Sequence, residues 1–206
     1  RQRSLGIVEI VPRVDDEQLR GIGRSIAEAL AGAGARVVVA GRTQAELDCV
    51  AAATGGVVVR MDVADRASVQ AGLALVEERA GHIDILINNA GAAEAPLERT
   101  SDELWDRMMA VNVTGAFALT RALVPPMICR GFGRVINIAS NAGLTGYAYS
   151  TAYCASKHAM VAMTRAIAVE IAKTAVTINA VARLGRDERV LALPAHALSR
   201  PDHGFH

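Results

Sequence analysis

Tyr153 and Lys157, four residues apart in the run Tyr153-Cys154-Ala155-Ser156-Lys157, are the pair in this 206-residue chain best suited to chemistry. On a helix that spacing puts both side chains on one face, one turn apart. A free tyrosine ionises near pH ~10 and is a poor acid–base catalyst at neutral pH. A neighbouring ammonium favours the phenolate, and lowering the pKa by about 3 units takes about 4 kcal/mol of differential stabilisation. A lysine beside a cationic ring in a dry cleft is a reasonable source of it. Ser140 closes the run GRVINIAS upstream, and its hydroxyl can hydrogen-bond a reacting oxygen alongside the tyrosine. Asn112, in Val111-Asn112-Val113, falls in a helical pattern where asparagine is a weak helix former. A buried amide holding a water near the lysine would account for it. Each residue also has a plain alternative: core aromatic, solvated helix charge, cap. Only together do they make a site.

Something must hold these groups at one edge of a scaffold. Five short apolar runs, residues 36–40, 57–61, 83–87, 134–138 and 176–181, read as strands separated by longer helical stretches. Ile22, Ile26, Ala29, Leu30 and Ala33 recur at three- and four-residue steps and share one helix face. Thr43-x-x-Glu46 and Thr100-x-x-Glu103 have capping-box spacing and mark helix starts, while Gly32 and Gly34 end the first helix. Such alternation predicts βαβ crossovers and a parallel sheet, with ligands outside the carboxyl ends of the strands. Arg42, Asp62, residues 88–91 and Ser140 all stand just after expected strands. With no internal repeat or long linker, residues 1–206 read as one domain.

The same edge offers a dinucleotide site. Gly21-Ile22-Gly23, with Arg20 before it, is read as opening the first helix, where backbone can approach a pyrophosphate. Ile26 stands where a third glycine would fall, so this turn alone is a weak signal. About 20 residues on, NAD-binding folds place an acid against the ribose. Here stands Ala40-Gly41-Arg42-Thr43, and Arg42 would attract a 2′-phosphate, so NADP is expected over NAD. Asp62, followed by Val63, can accept a hydrogen bond from an adenine amino group, Asp65 being better placed to cap the next helix. In Asn88-Asn89-Ala90-Gly91 small residues let a dinucleotide lie close, while the amides satisfy strand ends and ligand atoms.

Composition narrows the class. Hydrophobic residues make up 51% and aromatics only 3%, so the core is aliphatic, which suits buried parallel strands under Ala-rich helices. A net charge of +1 without a basic stripe argues against nucleic acid. Three widely spaced cysteines give neither a disulfide framework nor a metal site, which points to a reducing compartment. No apolar run is read as approaching the ~18 residues of a membrane span, and the first ten residues do not resemble a signal peptide. A cytoplasmic protein is expected, with no metal, and with His196, His203 and His206 as scattered tail residues.

Six motifs in order, Gly21-Ile22-Gly23, Asp62-Val63, Asn88-Asn89-Ala90-Gly91, Val111-Asn112-Val113-Thr114-Gly115, Ser140 and Tyr153-x-x-x-Lys157, resemble the short-chain dehydrogenase/reductase family over residues 21–181. The stretch from residue 133 to 159 is similar to bacterial reductases of 3-oxoacyl thioesters. The resemblance implies a Rossmann-like doubly wound sheet in three α/β/α layers. It also implies hydride transfer between NAD(P) and a carbonyl or secondary alcohol, on a small-molecule substrate, in a homo-oligomer. In it Tyr153 donates the proton, Lys157 holds the nicotinamide ribose, Ser140 orients the carbonyl and Asn112 supports a relay water.

Two departures stand out. The family's Thr-Gly opening is replaced by Asp16 and Glu17, where a carboxylate would repel pyrophosphate. After residues 177–181 the family's Pro-Gly turn, substrate-covering segment and final strand are expected to be missing, leaving residues 1–20 and 182–206 as atypical ends. Abrupt departures of this kind are what altered reading frames would produce. A non-catalytic remnant serving in subunit contacts is therefore the competing reading. A methyltransferase on a similar sheet would want an acid where Gly41-Arg42 stands and leaves Tyr153 and Lys157 unexplained.

Overall fold

The computed structural model describes residues 6–11, 17–89, 91, 96–184 and 189–193, with side chains for 21–89, 91 and 96–182. In chain order the elements are β1 (Gly6–Val11), α1 (Glu17–Gly32), β2 (Arg36–Gly41), α2 (Gln44–Thr54), β3 (Val57–Arg60), α3 (Arg66–Ala80) and β4 (Ile85–Asn88). There follow α4 (Asp102–Met109), α5 (Ala116–Arg130), β5 (Gly133–Ile138), α6 (Thr151–Glu170), β6 (Val176–Leu184) and β7 (Arg189–Leu193). One sheet runs β3-β2-β1-β4-β5-β6-β7. All pairs are parallel except β6 with β7.

The three layers follow from strand alternation. In β2, Val37 and Val39 pack with Ala27 of α1 and with Leu47 and Val50 of α2. Val38 and Ala40 point the other way, into a larger cluster with Val69 and Val76 of α3 and Leu119, Val124 and Met127 of α5. Burial on both faces explains why β2 is an unbroken apolar run, each buried valine contributing roughly 1.5–3 kcal/mol. Gly34 (φ 85°) takes the left-handed turn from α1 into β2, which a side chain would strain.

Several expectations shift. Helix α1 begins at Glu17, so Gly21 and Gly23 lie a turn inside it instead of opening it. Thr43 precedes α2 without a side-chain cap bond. At α4 the cap is Ser101, whose hydroxyl accepts from the Leu104 N–H at 3.3 Å, while Thr100 turns back to the Pro96 carbonyl. The fourth strand starts two residues late, at Ile85, and the almost fully buried Asp84 side chain just before it faces His82 and Arg130.

The sequence reading places no strand after β6, yet β7 pairs with it. Only four residues separate Leu184 from Arg189, far too few for a crossover, so this strand can only return antiparallel. Helices α4 and α5 also join into one helix, Asp102–Arg130, of 29 residues, long and apolar enough to cross a membrane by length and composition alone. Here it lies along the sheet, with Met108, Leu119 and Met127 fully buried, so the apolar face is a core face.

Candidate active site

The carboxyl ends of the strands bring the expected residues to one edge. Asn89 follows β4, Ser140 follows β5, Arg42 follows β2 and Asp62 follows β3. Tyr153 and Lys157 enter from the first turns of α6. Asn112 comes from a π turn, Ala110–Gly115, between α4 and α5. Such a turn carries an extra residue, which widens the helix and recurs at functional sites. Gly115 closes it against the loop after β3, where a Cβ would sit 2.7 Å from the Val63 Cβ and 2.8 Å from its carbonyl oxygen. Any side chain at 115 would push the π turn off that loop.

Lys157 is 3% exposed. Its Nζ donates to the carbonyl of Ile138, the last residue of β5, at 2.8 Å and lies 5.8 Å from the centre of the Tyr153 ring. Burial away from water lowers its pKa from 10.5 to about 8. Among the described residues no carboxylate approaches its ammonium. The short turn Asn141–Gly143 pins β5 to this part of α6, since a Cβ on Gly143 would lie 2.7 Å from the Lys157 carbonyl. Gly143→Ala is therefore expected to cost about 1–3 kcal/mol by overpacking. Urea unfolding checks this, and an unchanged midpoint would count against so tight a contact.

Asn112 is fully buried. Its Nδ2 donates to Ser156 Oγ at 2.8 Å, and that hydroxyl donates onward to the Tyr153 carbonyl at 2.8 Å. With Ser156 so engaged, the amide is turned to present Oδ1, which is buried and has no partner among the described residues. A Cβ at Gly91 would stand 3.9 Å from that oxygen, so the turn after β4 adjoins Asn112. The buried Nδ2 of Asn89 also lacks a partner among the described residues. Asn88 Oδ1, at the end of β4, is a third such atom, and buried polar atoms of this kind are costly unless a water or ligand answers them.

Asn88 proves structural in its bonds. Its amide donates to Asn137 Oδ1 at 2.7 Å and to Thr120 Oγ1 at 3.3 Å, and Asn137 donates on to Thr164 at 2.8 Å. This ladder ties β4, β5, α5 and α6 together below the site. Sequence reading missed Ser156, Asn137, Thr120 and Thr164. The available signal was the polar residue inside the apolar strand GRVINI and the serine one place before Lys157. Asp62 accepts from the Ala64 N–H at 3.0 Å, bracing its own turn, and Asp65 caps α3 as expected. Arg42 is half-buried. Gly21 is exposed, Ile22 half-buried and Gly23 buried, while Ala90 and the Arg20 side chain lie outside the described residues.

Known proteins resemble this chain in sequence and fold. Residues 18–185 match the family model described as short chain dehydrogenase. A D-beta-hydroxybutyrate dehydrogenase of Rhizobium meliloti (strain 1021) is 38% identical over 171 residues, 78% of this chain and 66% of its own. A 3-oxoacyl-(acyl-carrier-protein) reductase of Haemophilus influenzae is 37% identical over 166 residues, 79% and 69% of the two chains. A crystal structure of a short-chain dehydrogenase from Streptomyces avermitilis superposes with a TM-score of 0.79 at 31% identity, over 87% of this chain and 65% of that one. The chain spans about two thirds of the length of these relatives. With a family model matching residues 18–185 and relatives of 37–38% identity over more than three quarters of the chain, it belongs to the short-chain dehydrogenase/reductase family.

Proposed function

We propose that this chain is an NAD(P)-dependent oxidoreductase interconverting a carbonyl and a secondary alcohol, working as an NADPH-preferring reductase of a 3-oxoacyl thioester or another small ketone. The observation that carries the reading is the buried Lys157 one turn from Tyr153, fixed to the end of β5 beside Ser140. The Tyr153 hydroxyl gives its proton to the carbonyl oxygen, and Ser140 holds that oxygen by a hydrogen bond once its hydroxyl turns away from Asn141 Oδ1. The Lys157 ammonium favours the phenolate left behind, and Asn112 Oδ1 receives a water that returns the proton.

The residues present fit a dinucleotide at the strand ends. Among the described residues Asn89 and Asn112 offer unanswered polar atoms, and a Cβ at Gly21 would meet nothing within 4 Å. Gly21, Ile22 and Gly23 with Arg20 are assigned to the pyrophosphate, which requires the first turn of α1 before them to give way. Asp62, Val63, Asn89, Ala90 and Gly91 would line the adenosine and ribose, and Tyr153 with Lys157 would meet the nicotinamide ribose. A bound nicotinamide supplies the hydride.

Arg42 after β2 supports NADPH over NADH. Arg42→Ala should lower the ratio of NADPH to NADH affinity about tenfold, the order expected for one charge-assisted contact. Fluorescence titration with both cofactors checks it, and an unchanged ratio sinks the preference. One observation favours the remnant reading: α1 begins at Glu17, so helix stands where the family's glycine turn would be. NADPH consumption with a panel of ketones separates the two readings. No turnover and no NADPH binding by the wild type would establish the remnant.

A further inference from the structure

The loop between Ser140 and α6, residues 141–150, has the sequence NAGLTGYAYS and contains no charged side chain. Its hydrogen bonds form a directed chain starting at Ser140. Ser140 Oγ donates to Asn141 Oδ1 at 2.9 Å and accepts from the Ala142 N–H at 3.2 Å. The Asn141 carbonyl oxygen also accepts from that N–H at 2.9 Å, so both sides of this amide are committed. Asn141 Nδ2 then donates to the Tyr147 hydroxyl at 2.7 Å. Because the amide can only donate there, the phenol oxygen must be the acceptor, and its own hydrogen is left to point elsewhere. No acceptor for that hydrogen is found among the described residues. The phenol is 47% exposed and stands one amide group away from the serine.

The placement is firm. Asn141 belongs to the short turn that Gly143 presses onto the backbone of α6 at Lys157. At the other end of the loop Tyr149 has φ 63°, a conformation that a bulky residue rarely adopts and that costs about 1–3 kcal/mol. The loop is therefore held in a shape it would not take freely.

From this geometry we infer that Tyr147, held by Asn141, is a specificity-determining residue that selects substrates carrying a second, uncharged oxygen acceptor near the reacting carbonyl, as in a 3-oxoacyl thioester. The inference rests on the carbonyl reduction proposed above and deepens it. Tyr153 serves one oxygen, with Ser140 joining it once its hydrogen swings from Asn141 Oδ1 to the substrate, and the Tyr147 hydrogen serves the other. A free carboxylate gains much less here, since the loop supplies no cation to offset its desolvation. An isolated ketone leaves the half-exposed Tyr147 hydrogen to water and forgoes the hydrogen bond that a second oxygen would make, so it binds less well. The predicted order is thioester, then simple ketone or 3-oxo acid.

The test uses 3-oxobutanoyl N-acetylcysteamine thioester, 3-oxobutanoate and 2-butanone, with NADPH, on wild type, Tyr147→Phe and Asn141→Ala. In the wild type kcat/KM should favour the thioester over 2-butanone. Tyr147→Phe should shrink that preference about tenfold, mainly through KM, as loss of one hydrogen bond does. Asn141→Ala should move it in the same direction by freeing the phenol. A preference unchanged in Tyr147→Phe overturns the inference while leaving the reduction itself standing. Should the wild type turn over none of the three, the reduction is overturned. Calorimetry of 3-hydroxybutanoyl thioester binding to wild type and Tyr147→Phe then still decides, equal affinities overturning the role of Tyr147.

Discussion

Tyr153→Phe should abolish ketone-dependent NADPH oxidation, lowering kcat by about a hundred- to ten-thousandfold, the range spanned by removal of a general acid. The substitution deletes one oxygen and keeps the ring. Packing over the lysine is therefore preserved, as is the backbone carbonyl that accepts from Ser156. NADPH affinity should change little, because the lost group acts on the reacting oxygen and contributes only modestly to holding the cofactor. Initial rates with a saturating ketone, paired with a fluorescence titration of NADPH, test both halves. Turnover that survives in the phenylalanine variant would remove Tyr153 from the chemistry.

Lys157→Met is expected to reduce kcat/KM by about a thousandfold, since it removes the ammonium that favours the phenolate from a dry site where charge counts most. The same substitution has a second readout in stability. Burial lowers the lysine pKa to about 8, against 10.5 when exposed, so the unfolded chain binds the proton more tightly than the folded one. Below pH 8 both states are protonated, and the folded protein carries the full cost of a buried charge. Between about pH 8 and 10.5 the folded state releases the proton first, so stability rises with pH through that window. The total gain is about 3 kcal/mol, at roughly 1.4 kcal/mol per pKa unit. Methionine does not titrate. The stability of the wild type relative to Lys157→Met should therefore increase from pH 7 to pH 10.5, as read by urea midpoints. Wild-type turnover should decline as pH rises through about 8, where the ammonium is lost. A stability difference that stays flat across this range would show that the lysine is not buried as described.

The site was more legible than its supports. Tyr153 and Lys157 announce themselves by a four-residue spacing that any helix converts into adjacency. Ser140, Asn89 and Arg42 could be placed because a parallel sheet puts every strand end at one edge. Ser156, Asn137, Thr120 and Thr164 carry no such local mark. Their importance comes from partners 27 to 49 residues away, as in the Asn137–Thr164 and Asn88–Asn137 bonds. Spacing along the chain cannot register contacts of that range.

The helix ends were blurred for another reason. Ser101 and Thr100 compete for the same capping role, and only the loop geometry before α4 decides between two adjacent hydroxyls. The strand at residues 189–193 was not read from the sequence, because whether that stretch pairs, and in which direction, depends on the four-residue connection and the free edge of β6.

By itself, then, the sequence determined the alternating α/β plan and the edge at which ligands gather, because periodicity is a local property, and it proposed the Asn112, Ser140, Tyr153 and Lys157 set through its resemblance to the family. Only the tertiary structure decided that Lys157 is dehydrated and anchored to Ile138, and that Ser156 turns the Asn112 amide. It alone revealed that Tyr147 is tied to Ser140 through Asn141. Burial and hydrogen-bond direction depend on what the rest of the chain places around a residue, and they set the lysine's charge state and each amide's orientation.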